Sequence, residues 1–173
     1  MTASPDDFDR EFWKSFEQGI DEETSRSITR HGAAETGVHE LAREATERIA
    51  QQLALLGPPG WTRLWASFSL AGGRALTEVA FTVGGRTVGV DPLPVLPLVV
   101  ELRGLSARLS DGPWWRFMLD LTSQGRLETG YDYGDETFPE GQLLPAECYK
   151  ADLESFPRRE VPQWMRLYIG WVG

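Results

Sequence analysis

From Pro113 the chain reads Pro-Trp-Trp-Arg-Phe-Met-Leu-Asp-Leu-Thr, then Ser-Gln-Gly, then Arg-Leu-Glu-Thr-Gly-Tyr-Asp-Tyr ending at Tyr133. Trp115, Phe117, Leu119 and Leu121 recur at period two, and Leu127, Thr129, Tyr131 and Tyr133 do so again after the turn. That alternation predicts an antiparallel hairpin with one buried face. Arg116, Asp120, Glu128 and Asp132 fall on the other side. A slip of one residue would exchange the two sets, so the register is tightly specified. Trp114 and Trp115 are expected to point to opposite faces, with Trp115 in the core and Trp114 available as an interface residue.

Upstream, a meander is expected. Leu64, Ala66, Phe68 and Leu70 alternate, Gly72-Gly73 turns the chain, Ala75 to Val83 alternates back, and Gly84-Gly85 leads into Arg86 to Val90. Helical spacing brackets these strands. Val38 to Leu56 places Leu41, Ala45, Ile49, Leu53 and Leu56 on one face, with Glu44 and Arg48 as an i, i+4 pair on the other. From about Pro97, Leu98, Leu102, Leu105 and Leu109 repeat the helical pattern, and Pro145 and Pro162 open two further helices. Residues 1–37 read as an acidic helical arm carrying Phe8, Phe12, Phe16 and Ile20, followed by a polar connector. Residues 38–173 form the domain proper. The fold class that follows is α+β: a single domain with about five mostly antiparallel strands, and helices packed on one face and at the ends of the sheet.

Several function classes are disfavoured. The formal charge is -9, from 26 acidic and 17 basic residues, which repels nucleic acid and favours a basic protein partner. No apolar run approaches a membrane span. The first ten residues contain Asp6, Asp7 and Asp9 and lack the apolar region of a signal peptide, and Cys148 is the sole cysteine, so a cytoplasmic protein is expected. His31 and His39 sit in or beside the polar connector, outside any nucleophile motif, and with one distant cysteine they do not make a zinc set. No catalytic residue, metal ligand or cofactor is therefore expected. The one chemical constellation is the acidic loop after the hairpin, where Asp132, Asp135, Glu136 and Glu140 are flanked by Tyr131, Tyr133 and Phe138. Such carboxylates could in principle do acid–base or metal work, stand solvated, or meet a basic patch with the aromatics as anchors.

The aromatic strand, the Ser-Gln-Gly turn and the close on Tyr131-Asp132-Tyr133-Gly134-Asp135 resemble the YezG-like antitoxin family of bacterial immunity proteins. So does the downstream run through Phe138-Pro139, Leu144 to Leu153, Phe156-Pro157-Arg158 and Val161-Pro162-Gln163-Trp164-Met165, in the manner of actinobacterial members. The resemblance spans the last third of the chain. It implies an immunity protein that silences a secreted toxin of a polymorphic toxin system, a nuclease or an NAD glycohydrolase, by occluding its active site as a heterodimer. The candidate toxin-binding residues are then Trp114, Tyr131, Asp132, Tyr133, Asp135, Glu136, Phe138 and Glu140. The rival readings are an adaptor or secretion chaperone for a partner protein, and a carboxylate-based hydrolase.

Overall fold

The computed structural model describes residues 33–171. The expected N-terminal aromatic helix, and His31 with it, lie outside them. The described chain runs α1 (Ala33–Leu56), β1 (Trp61–Ala71), β2 (Arg74–Val83), β3 (Arg86–Gly89), α2 (Leu96–Ser106), β4 (Arg116–Thr122), β5 (Leu127–Asp132), α3 (Ala146–Ser155) and α4 (Gln163–Tyr168). Helix α1 starts five residues before Val38, so the end of the polar connector is helical.

The five strands make one antiparallel sheet in the order β3-β2-β1-β4-β5. β1 is central because it is apolar or small on both sides, and eight of its eleven residues, Leu64 through Ala71, are buried. The meander and the hairpin appear as the alternation predicts, with Phe117 facing Tyr131 and Leu121 facing Leu127 across β4 and β5.

On one face Leu64, Ala66, Phe68, Val79, Phe81, Phe117 and Leu119 pack against Ala45, Ile49 and Leu53 of α1 and Val99 and Leu102 of α2. The α1 stripe is turned slightly from its expected position: Leu41 is 46% exposed, while Val38 and Thr46 are buried. The ion pairs move with it. Arg43 bridges Glu40 and Glu47, and Arg48 pairs with Glu101 of α2.

A second cluster lies beyond the end of β1, where Ala71, Trp115, Phe138, Leu144, Tyr149, Leu153, Met165 and Ile169 gather. Helix α3 closes over the β1–β2 turn there, and α4 adds Met165 to the same cluster. The two tryptophans thus serve different cores, as their opposite orientation requires. Trp114 lies tilted against Phe117 and Tyr131, and Trp115 meets Phe138 and Tyr149 edge-on. Both are fully buried. Trp115 therefore does not share the side of Phe117, because the alternation holds only within β4, which begins at Arg116.

The face of the sheet away from α1 and α2 differs most from expectation. It carries the row Ser69, Arg116, Asp132 and the row Trp65, Asp120, Glu128. Arg116 and Asp120 lie on the side that the alternation assigns to solvent, yet each is only 5% exposed. Buried charge persists only when paired. Arg116 donates to Asp132 at 2.8 Å, and Arg63 donates to Asp120 at 2.6 and 2.9 Å. Among the described residues no helix is long and apolar enough to cross a membrane.

Candidate functional site

The acidic loop begins where β5 ends. Asp132 uses one carboxylate oxygen to accept from Arg116 and the other to accept from the backbone N–H of Gly134 at 2.8 Å. That second bond reverses the chain in a tight Asx-type turn. Gly134 has φ of +86°, and a Cβ there would come within 2.9 Å of the Trp115 ring, so only glycine fits. Its carbonyl accepts from the Trp164 indole N–H at 2.8 Å, tying the turn to α4.

Four residues further on, Phe138 drops into the second core. Its ring centroid lies 5.0 Å from Trp164 and 6.0 Å from Tyr149, and the Arg116 guanidinium stands 5.5 Å from the ring centre. Gln142 makes the third anchor. Its N–H donates to the Pro139 carbonyl at 3.0 Å, while its side-chain oxygen accepts from Ser67 at 3.1 Å and from Arg116. The loop is therefore fastened at Asp132–Gly134, at Phe138 and at Gln142, and what lies between is pushed outward. Asp135, Glu136 and Glu140 are exposed.

The eight candidate residues separate accordingly. Asp135, Glu136 and Glu140 face solvent, and Tyr133 is half-buried. Asp132 is half-buried and held by Arg116, which makes it a support for the loop. Tyr131 lies against Phe117 at 5.4 Å, with its hydroxyl 3.2 Å from the Thr46 hydroxyl, so it ties the hairpin to α1. Phe138 is buried, and Trp114 is completely so. The expectation that Trp114 is the exposed member of the pair is corrected: α1 and α2 cover its side of β4, and Arg103 donates to its carbonyl at 2.8 Å. The aromatics of this region hold the loop up from below.

Glu78 joins the acidic surface from a strand that the alternation reads only as structure. It and Glu140 line a cleft of about 370 Å³ over the polar face of the sheet, with Ser67, Ser69, Thr77 and Gln142. Sequence pattern shows the outward position of Glu78 but not the loop that comes to stand beside it. His39 is exposed on α1, Cys148 is buried on α3, and among the described residues no three His, Cys, Asp or Glu side chains gather to hold a metal ion.

Burial raises the carboxyls of Asp132, Asp120 and Glu78 above their ordinary values of 3.8, 3.8 and 4.5. For Asp132 the N–H of Gly134 and the charge of Arg116 oppose the rise, and the nearby charge of Asp135 adds to it. A carboxyl raised in the folded state binds its proton more tightly there than in the unfolded chain. Its protonation favours folding as pH falls toward the ordinary carboxylate value, and the gain is lost as pH rises through the raised one. Glu40 is lowered by Arg43, but it stands in water and weighs little. The urea midpoint is therefore expected to rise as pH falls from neutral toward the ordinary carboxylate values. A midpoint that falls on acidification toward those values contradicts the raised carboxyls of the paired Asp132 and Asp120.

No family model and no curated protein matches the chain.

Proposed function

We propose that this chain is an immunity protein of the YezG-like kind, which binds a cognate secreted toxin domain in the cytoplasm and occludes its active site. The observation that carries the reading is the posture of the loop. Three carboxylates are presented outward on a segment fixed at three points, with no carboxylate-pairing cation beside them among the described residues.

A surface of that kind suits a basic partner for two physical reasons. Exposed like charges raise the rate at which an oppositely charged protein arrives, and a loop already ordered loses little entropy on binding. Toxins that act on nucleic acid present basic grooves, which an acidic inhibitor complements; toxins that destroy NAD are also within the resemblance. A stable interface buries about 1,600 Å² in total, so contact must spread past the loop, and the cleft between Glu78 and Glu140 continues it. The hydrolase reading draws less support, since Asp132 is engaged with Arg116 and Gly134 instead of standing free beside Asp135 and Glu136.

The test is co-expression with the effector encoded beside it. The effector alone should kill cells, and the pair should grow. The double variant D135K/E136K should keep the fold and lose protection, with association slowed about tenfold or more at low salt. Full protection by the folded variant removes the loop from the interface, and an effector that is harmless alone favours the adaptor reading.

A further inference from the structure

Helix α4 and the segments on either side of it line an open cleft of about 700 Å³, with Arg158, Arg159, Glu160, Val161, Arg166 and Trp171 among its residues. Three arginines against one glutamate make it a positive spot on a chain whose net charge is -9.

Each contributor is placed by a separate feature. Arg158 lies over the Trp115 ring at 3.8 Å and donates to the Pro113 carbonyl, which fixes its guanidinium. Its Nε is buried with no hydrogen-bond partner among the described residues. Burial pulls its pKa down to about 10, with the charge of Asp152 opposing the fall and that of Arg103 adding to it. Arg159 and Arg166 are exposed and make no ion pair with any described residue. Gly170, at φ of +71°, turns the chain back at the end of α4, so that the Trp171 N–H donates to the Arg166 carbonyl at 2.8 Å. That turn sets a half-exposed indole on the rim of the cleft beside the arginines.

Guanidinium forks match the oxygens of a phosphate, and an exposed indole offers a stacking face to a flat ring. A long polyanion would meet the repulsion of the rest of the surface, whereas a single phosphate would not. We propose that the Arg158–Arg159–Arg166–Trp171 cleft binds a small phosphomonoester bearing a planar ring, of the nucleoside monophosphate class, with the phosphate on the arginines and the ring on Trp171. This site shares no residue with the acidic loop and does not depend on the immunity reading.

Isothermal calorimetry on the full chain, with AMP, inorganic phosphate and adenosine as probes, tests it. AMP should bind saturably, more tightly than phosphate, and adenosine should give no saturable heat. AMP affinity should fall as salt rises. The R159A/R166A variant should lose about tenfold or more in AMP affinity, since each charge-assisted hydrogen bond lost is of that order. W171A should reduce AMP to the affinity of inorganic phosphate. Absence of saturable AMP binding at millimolar concentration overturns the proposal. So does wild-type AMP affinity in R159A/R166A with an unchanged melting temperature, or adenosine binding as tightly as AMP.

Discussion

Asp152→Ala is expected to lower the unfolding free energy by about 3–5 kcal/mol, the usual cost of leaving a buried charge without its partner. Asp152 is 2% exposed on α3 and takes both contacts of Arg103 at 2.8 Å, the Trp115 indole N–H at 2.8 Å and the Gly72 N–H at 3.3 Å. One carboxylate thus joins α2, the Trp-Trp segment, the β1–β2 turn and α3. Removing it strands a guanidinium that is itself only 11% exposed, together with a buried indole N–H. Asp152→Asn keeps the shape and part of the hydrogen bonding but not the charge, so it should fall between wild type and Asp152→Ala. The urea midpoint and near-ultraviolet circular dichroism read the effect. A loss below about 1 kcal/mol, the scale of a surface pair, would show that this node is not what holds the second core to the sheet.

Gly72→Ala is expected to be nearly as damaging, and Gly73→Ala mild. Both glycines have positive φ, +54° and +74°, so an alanine at either is strained by about 1–2 kcal/mol. They differ in what surrounds them. A Cβ on Gly72 would stand 2.5 Å from the Cys148 carbonyl oxygen and 3.0 Å from its Cα, and backbone cannot swing aside as a side chain can. Nothing lies within 4 Å of a Cβ on Gly73. Overpacking should therefore add about 1–3 kcal/mol at Gly72 alone. Thermal melts of the two variants compare them directly. Equal losses would mean that α3 does not press on the β1–β2 turn as described.

The strands, the pairings within the meander and within the hairpin, and the α+β class were legible because each rests on a local signal: alternation at period two, glycine pairs at the turns, and apolar spacing along α1. What stayed hidden depends on segments far apart in sequence. Arg116 and Asp120 look like the solvent side of a hairpin until Gln142, 26 residues beyond Arg116, reaches back to it and to Ser67. Trp114 looks exposable from its own strand, yet α1 and α2 cover it. Leu41 fits the α1 stripe by count and misses it because the helix is rolled toward Val38 and Thr46. The carboxylates of the loop could be found from composition; that Phe138 and Asp132 serve as its anchors could not, since an aromatic or an acid in a loop carries no mark of which way it turns. The arginine cleft is divided between the two ends of a short helix, and no spacing rule joins Arg158 to Trp171.

The proposed function has Asp135 and Glu136 present charge to a basic partner from a pre-set loop. Its most direct test is the affinity of the purified chain for the adjacent effector domain, measured side by side for wild type and D135K/E136K across a salt series. The expected result is tight wild-type binding that weakens as salt rises, with the variant bound at least tenfold more weakly at low salt and the gap closing as screening sets in. Equal affinity of wild type and a folded D135K/E136K at every salt concentration would contradict it.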